Sequence, residues 1–176
     1  ELSKNIVRGF RAFELFLERN PAWRGNVVFL AMLSPSRLDI EEYRTYAAEC
    51  IEEAERVNRA FGTRDWTPIE VRVREDYEGA LAAYALYDVL LVNPVVDGMN
   101  LVAKEYVATR VDDRGVLVLS EFTGAADELR QAVRVNPQRS AACVAVKRGL
   151  ASSKVSMMDR PFSRPAIQSR LSSGGL

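Results

Sequence analysis

The sequence predicts an α/β fold in which helices flank a parallel, doubly wound (Rossmann-like) sheet. Three continuous apolar runs, bounded by turn residues, are typical of strands covered on both faces of such a sheet; they occupy residues 27–33, 89–92 and 116–119. Segments with helical periodicity lie between them, and the links are short. Strands and helices that alternate in this way form parallel sheets with right-handed crossovers.

The first two helices precede and follow the first apolar run. One helix is predicted over residues 4–19, because apolar side chains recur there at helical spacing, and Ser3 is its predicted N-cap. Pro21 follows the end of this helix. A second helix is predicted over residues 39–61, and Gly62 just beyond it suits a C-cap.

The later elements are shorter and continue the alternation. A strand at 69–73 and an Ala-rich helix at 77–87 precede the second apolar run. A helix at 100–109 separates the second run from the third. A short helix at 125–130 and a last strand at 133–135 complete the predicted sheet.

The chain is predicted to contain one domain and a tail. Residues 1–150 form the predicted Rossmann-like lobe, which ends with a weaker helical pattern at 141–150. Residues 151–176 hold seven serines and two prolines and are predicted to be largely disordered.

The composition excludes several classes of function. Lys and Arg number 24, as do Asp and Glu, so the basic surplus typical of general nucleic-acid binders is absent. The sequence has no histidine, which excludes the Ser-His-Asp and Cys-His nucleophile systems and removes the usual zinc ligand. The two cysteines, Cys50 and Cys143, have no paired spacing and are expected to be buried or incidental, as in a reducing cytoplasm. No apolar run approaches the roughly 20 residues that cross a bilayer, so we predict a cytoplasmic protein without a membrane span.

The segment that follows the strand at 89–92 is the richest candidate site, because ligands of open parallel sheets bind beyond the carboxyl ends of strands. Gly98 is expected to adopt a positive φ and to let the backbone approach a ligand closely. Asn100 can cap the next helix, whose N-terminus would suit a diphosphate. Asp97 and Glu105 could accept hydrogen bonds from sugar hydroxyls. The same residues also fit an ordinary turn, a cap and a solvated helix face.

Two longer strings are distinctive as a whole: DGMNLVAKEYVAT at 97–109 and GVLVLSEFTGAADEL at 115–129. Three further segments agree with the same family in order and spacing, at 3–13, 33–44 and 57–68. Together they closely resemble the trehalose-6-phosphate synthase family of retaining GT-B glycosyltransferases, from residue 1 to about residue 137. The resemblance covers the C-terminal, donor-binding lobe of the GT-B fold, and we expect the N-terminal lobe to be missing.

The resemblance implies a sugar nucleotide donor, typically UDP-glucose, and a catalytic role for Lys4 and Asp97. Lys4 would bind the donor diphosphate, where a point charge suits the negative charge that develops on the leaving phosphate. Tyr77 aligns with an aromatic position near the nucleobase, although a core aromatic at a helix start is an equally good account. The implied donor-binding positions are Lys4, Tyr77, Asp97, Gly98, Met99, Asn100, Leu101, Val102 and Glu105. Within this set, residues 97–100 would contact glucose, the amides of 101 and 102 the diphosphate, and Glu105 the ribose hydroxyls.

The resemblance also implies a sugar-phosphate acceptor, typically glucose 6-phosphate. Arg37 matches the family's arginine that binds the acceptor phosphate, and a guanidinium suits a phosphate dianion. The implied reaction is a same-face displacement with retention, which requires no protein nucleophile, metal or other cofactor. Positioning and electrostatic stabilisation carry such a reaction.

The sequence departs from the family pattern in ways that leave alternatives open. The lobe that supplies most acceptor contacts and a functional histidine is expected to be missing, as is an arginine a few residues before Lys4. Val96 stands where an arginine is common. A noncatalytic nucleotide-binding or interaction fragment is therefore an alternative. So is a related transferase with another acceptor, of the glucosylglycerol-phosphate or validoxylamine type. The nucleotide base and the oligomeric state stay open.

Overall fold

The computed structural model describes residues 1–35, 37, 39–110 and 115–138. Five helices and five strands alternate along the described part of the chain, after a 3-10 turn at Leu2–Lys4 and with a second at Pro21–Trp23. In chain order the elements are α1 (Ile6–Arg19), β1 (Phe29–Leu33), α2 (Glu41–Phe61), β2 (Ile69–Val73), α3 (Tyr77–Leu86), β3 (Val89–Val92), α4 (Leu101–Thr109), β4 (Val116–Ser120), α5 (Ala125–Glu128) and β5 (Val133–Val135).

The α/β class is confirmed, and every paired strand is parallel to its neighbour. The strands form two hydrogen-bonded groups, a β1–β2 pair and a β3–β4–β5 sheet, where the sequence predicts one sheet. Contacts of other kinds join the two groups. The Tyr87 hydroxyl donates to the Leu30 carbonyl at 3.3 Å. A Cβ placed on Gly9 of α1 would lie 3.8 Å from Leu91 and 3.9 Å from Phe29, so α1 spans both groups.

The strand bounds at 69–73, 89–92 and 133–135 are confirmed, but the first helix begins later than predicted. Ser3 lies in the 3-10 turn, and the N-cap of α1 is Asn5, not Ser3. The helix cannot extend back through this residue, because Asn5 has a left-handed backbone with φ 59°. The predicted helix at 141–150, Cys143 and the tail at 151–176 lie outside the described residues.

The core of the first half is built around α1. Phe10 is fully buried, and its ring meets Phe29 of β1 edge-to-face at 5.3 Å between centroids. Trp66 belongs to the same buried hydrophobic cluster as Phe10, and its indole Nε1 donates to the Val27 carbonyl at 2.8 Å. Cys50 lies in this core, as expected, and burial raises the pKa of its thiol to about 11.

The core of the second half depends on alternation along β3. Leu90 and Val92 pack with the side chains of α3 and α4, whereas Val89 and Leu91 pack with Val118 on the other face of the sheet. Both sets of side chains are apolar, which is typical of a strand covered on both faces.

Candidate functional site

The segment before α1 is attached to the loop that follows β3. The Val95 amide donates to the Ser3 carbonyl at 2.9 Å, and the Asn5 side chain donates to the Asn93 carbonyl at 3.0 Å. These bonds place Lys4 beside the carboxyl end of the β3–β4–β5 sheet. The sequence separates Lys4 from this loop by about ninety residues, so the contact belongs to the tertiary structure alone.

Lys4, Asp97 and Asn100 form one polar cluster. The Lys4 ammonium lies 2.7 Å from Asp97 Oδ2, and Asn100 Nδ2 donates to the same oxygen at 2.9 Å. The Lys4 side chain is 44% exposed, whereas that of Asp97 is 16% exposed. The two residues that the family resemblance implies to be catalytic are therefore in direct contact, with the lysine open to solvent.

The electrostatics of the cluster favour an ionised Asp97. Burial raises the pKa of the Asp97 carboxyl, but hydrogen bonds from Lys4 and Asn100 and the charge of Lys4 outweigh burial and hold this pKa below its ordinary value. The negative charge is thus retained in a partly buried position.

This lowered pKa predicts a pH dependence of stability. The stabilisation from the Lys4–Asp97 contact is present above the ordinary pKa of Asp97 and is lost as the pH falls through the lowered, folded-state value. At neutral pH, Asp97→Asn should cost on the order of 1 kcal/mol of unfolding free energy, since the Lys4 end of the pair is screened by solvent.

Urea unfolding of both proteins along an acid series measures this difference. The difference should shrink towards the acid end, and the substitution Asp65→Asn at an exposed position is the control. A difference between Asp97→Asn and wild type that is independent of pH would contradict the assignment.

The N-terminus of α4 points out of the fold next to this cluster. Asn100 is the N-cap, as predicted, and its Oδ1 accepts from the Ala103 amide at 3.0 Å. The amides of Leu101 and Val102 begin the helix and have no carbonyl four residues earlier within it. Their side chains are exposed, as is that of Met99. Together with Lys4, this helix end offers positive potential to an anion.

The backbone of the loop departs from the prediction at Gly98. A positive φ was predicted for Gly98, but the left-handed residue is Asn100, with φ 48°. The prediction is wrong because the cap residue makes the turn into α4, so Gly98 does not need that conformation. A Cβ on Gly98 would meet no atom within 4 Å, so the backbone there is open.

The close approach occurs instead at Gly124, in the loop after β4. The Gly124 amide donates to the Gly98 carbonyl at 2.6 Å and to the Asp97 carbonyl at 3.3 Å. In the other direction, the Asp97 amide donates to the Phe122 carbonyl at 3.2 Å. The loop that carries Asp97 is therefore held edge to edge against the loop after β4.

Glu105 lies one turn into α4 and is half-buried, opposite α3. Its charge and a hydrogen bond, together with burial, raise the pKa of the Tyr84 hydroxyl to about 12, burial being the largest cause. Tyr77 is close enough to Tyr84 to contribute to this shift. The Tyr77 ring is 66% exposed at the start of α3, so the alternative that it is a core aromatic is wrong.

Arg37 follows β1 and adopts a left-handed backbone with φ 51°. Its guanidinium donates to the Tyr43 hydroxyl at 3.1 Å and lies 5.6 Å from the centre of that ring. Among the described residues, no hydrogen bond or ion pair connects Arg37 with Lys4 or Asp97. The structure thus brings Lys4, Asp97 and Asn100 together, and Arg37 stands apart.

Three residues beside the site were missed at the level of sequence: Asn5, Tyr84 and Gly124. Asn is one of the few residues that tolerate the left-handed conformation, and this is the signal that could have marked Asn5. Nothing in the local pattern marks Tyr84 as a partner of Glu105. Gly124 stands in a Thr-Gly-Ala turn whose close approach to another loop depends on tertiary packing.

The described part of the chain holds neither a candidate metal cluster nor a candidate membrane span. No group of three or more Cys, Asp or Glu side chains there is arranged to hold a metal ion. None of the described helices combines the length and apolar character needed to cross a membrane. The expectation of a reaction without a metal stays a prediction.

Comparisons with known proteins find a matching family over most of the chain. The model of glycosyltransferase family 20 matches residues 1–161, which extends beyond residue 137, where the sequence motifs end. The UDP-forming alpha,alpha-trehalose-phosphate synthase of Pichia angusta is 44% identical over 135 residues, which cover 76% of this chain and 28% of the relative. The chain thus spans less than a third of that relative's length.

Solved structures agree over almost the whole chain. A UDP-forming alpha,alpha-trehalose-phosphate synthase from Burkholderia xenovorans, in complex with glucose-6-phosphate, is 37% identical with a TM-score of 0.83, over 99% of this chain and 38% of that one. A structure from E. coli bound with UDP-2-fluoro glucose is 34% identical with the same TM-score, over 99% of this chain and 39% of that one.

Proposed function

The chain belongs to glycosyltransferase family 20, and on that basis we propose that it is the donor-binding lobe of a retaining glycosyltransferase that uses UDP-glucose. The observation that carries the proposal is the contact between Lys4 and Asp97 beside the open N-terminus of α4. A cation, a helix end and a carboxylate in one place suit a sugar diphosphate, whose phosphates are anionic and whose sugar offers hydroxyl donors.

The donor would lie along α4. The diphosphate binds the amides of Leu101 and Val102 and the ammonium of Lys4. The carboxylate of Asp97 accepts hydrogen bonds from the glucosyl hydroxyls, and Glu105 accepts them from the ribose hydroxyls. Tyr77, exposed at the start of α3, would face the base.

The reaction would proceed on one face of the sugar. The bond between the anomeric carbon and the diphosphate oxygen breaks with its electron pair going to the phosphate, where Lys4 and the α4 amides stabilise the charge. The acceptor hydroxyl attacks the anomeric carbon from the same face, and its proton passes to the departing phosphate oxygen. The configuration is therefore retained without a protein nucleophile.

The acceptor we propose is glucose 6-phosphate, and the product trehalose 6-phosphate. The glucose-6-phosphate complex of the Burkholderia relative supports this choice. The guanidinium of Arg37, oriented by Tyr43, would bind the acceptor phosphate. A related acceptor, such as a glucosylglycerol-phosphate or validoxylamine-type sugar phosphate, is the alternative.

Transfer is proposed to need a second, N-terminal lobe that lies outside these 176 residues. Exposed apolar side chains near the site support a covering partner, since apolar surface that is clustered usually marks an interface. They belong to Val96, Met99, Leu101, Val102 and Phe122. A cytoplasmic location stays a prediction.

Calorimetric titration of the chain with UDP, GDP, ADP and UDP-glucose tests the proposal. We expect micromolar to millimolar binding of UDP and UDP-glucose and weaker binding of the other two nucleotides. Lys4→Ala should weaken UDP binding by on the order of 1 kcal/mol, and raising the salt concentration should reduce this difference. Lys104→Ala is the matched control, because it removes a cation of α4 that pairs with Glu128 of α5.

A folded chain that binds none of these nucleotides would overturn the proposal. The noncatalytic alternative would then account for the family membership as common ancestry. Binding that Lys4→Ala leaves unchanged would contradict the assigned diphosphate position even though the nucleotide is bound.

A further inference from the structure

Asn5 combines three unusual properties at the residue next to Lys4. It is only 7% exposed although its side chain is polar, and its backbone is left-handed with φ 59°. It is also the N-cap of α1, but its side chain makes no capping hydrogen bond. The usual role of an asparagine at a helix start is therefore not the role that this residue performs.

The side chain of Asn5 instead reaches across the carboxyl edge of the sheet. Its Nδ2 donates to the Asn93 carbonyl at 3.0 Å and to the Pro137 carbonyl at 3.2 Å. Asn93 immediately follows β3, and Pro137 lies two residues after β5. One amide group thus joins the start of α1 to the ends of two strands, and both of its hydrogens are used.

These bonds bear directly on Lys4. The ammonium of the exposed Lys4 side chain contacts Asp97. The next residue along the backbone, Asn5, is fixed by the hydrogen bonds of its side chain to the Asn93 and Pro137 carbonyls. The loop that carries Asp97 leaves β3 through Asn93, whose carbonyl Asn5 binds. Asn5 therefore joins the backbones on the two sides of the Lys4–Asp97 contact, in addition to the bond from the Val95 amide to the Ser3 carbonyl.

We infer that Asn5 is the positioning residue that sets Lys4 against Asp97 and so prepares the cation for the donor diphosphate. The second half of this inference rests on the proposed function; the first half does not. An asparagine here does two things that no other single residue does as well: it tolerates the left-handed backbone and it supplies two donors to buried carbonyls.

Asn5→Gly isolates the side chain, because glycine adopts the left-handed backbone without strain. The first measurement is an NMR titration of the Asp97 carboxyl carbon in the 176-residue chain without ligand. Asn5→Gly should shift the pKa of Asp97 upward towards its ordinary value, in the same direction as Lys4→Ala. Asn26→Gly is the matched control, since the amide of Asn26 also donates to backbone carbonyls but far from the site.

The second measurement is UDP affinity in a double-mutant cycle. Asn5→Gly should weaken UDP binding about two- to fivefold in the wild-type background, no more than Lys4→Ala does, and have no further effect in Lys4→Ala. This loss of effect distinguishes positioning of Lys4 from general destabilisation, which would persist in both backgrounds.

The outcomes separate the two proposals. An unchanged Asp97 pKa in Asn5→Gly, with a raised value in Lys4→Ala, overturns the inference whatever UDP does. A raised pKa in a chain that binds no nucleotide supports the positioning of Lys4 and overturns the proposed function. If Asn5→Gly does not fold, Asn5→Ser, which retains one donor, should shift the pKa in the same direction, and no shift there overturns the inference.

Discussion

Glu105→Ala is expected to weaken UDP binding by roughly 1–3 kcal/mol, or about 5- to 150-fold, because two hydrogen bonds to a charged group are lost. The carboxylate is half-buried between α4 and α3, close to the Tyr84 hydroxyl. Water therefore replaces its ribose contacts poorly. Calorimetric titration with UDP measures the loss directly.

A ligand that lacks the hydroxyls tests the stated cause. The affinity of wild type for 2′,3′-dideoxyuridine diphosphate should be close to that of Glu105→Ala for UDP, and the substitution should not weaken the dideoxy analogue further. Glu128→Ala removes an exposed carboxylate that pairs with Lys104 of α4, and it should leave both affinities unchanged. An equal loss for the two ligands in Glu105→Ala would refute the ribose contact.

Gly124→Ala should displace the loop that carries Asp97 and abolish most UDP binding. The backbone of Gly124 has φ −61° and ψ −30°, which alanine adopts readily, so the obstacle is space alone. A Cβ there would lie 2.6 Å from the Gly98 carbonyl oxygen and 3.3 Å from its carbon. Overpacking of this kind costs about 1–3 kcal/mol of stability, and here the atom that must shift belongs to the site.

Gly9→Ala is the matched control for this substitution. Its Cβ would meet Leu91 and Phe29 at ordinary contact distances, and alanine is the better helix former, so stability should be equal or higher. Urea unfolding and UDP titration of both variants separate the two cases. Gly124→Ala with full UDP affinity would show that the loop can shift without moving Asp97.

Much of the site could be predicted because its parts are close together in the sequence. Asp97, Asn100 and Glu105 stand within nine residues, and the cap at Asn100 and the helix that it begins follow from local rules. The family resemblance supplied what spacing could not, namely the candidate roles of Lys4 and Arg37. No local rule assigns a phosphate to a lysine that precedes a helix.

The errors at Ser3 and Gly98 share one physical origin. Ser3 was predicted as the cap and Gly98 as the left-handed residue because these residue types usually take those roles. In the fold, both positive-φ positions near the site belong to asparagines, Asn5 and Asn100. The Asn5 side chain bonds to carbonyls of distant residues, and the Asn100 side chain accepts from the Ala103 amide in the first turn of α4. These hydrogen bonds outweigh the usual preference for serine as a cap and for glycine at a positive φ.

The α/β class, the bounds of three strands and the loop that carries Asp97 could be predicted from local sequence, because apolar alternation, turn residues and caps act over a few residues. Three contacts near the site follow from tertiary packing instead: that of Lys4 with Asp97, that of Asn5 with two strand ends, and that of Gly124 with the Gly98 carbonyl. These contacts join residues that are tens of residues apart. They depend on how the helices pack across the sheet. This packing brings the ends of separate strands together at one edge of the sheet, and no local sequence pattern encodes that arrangement.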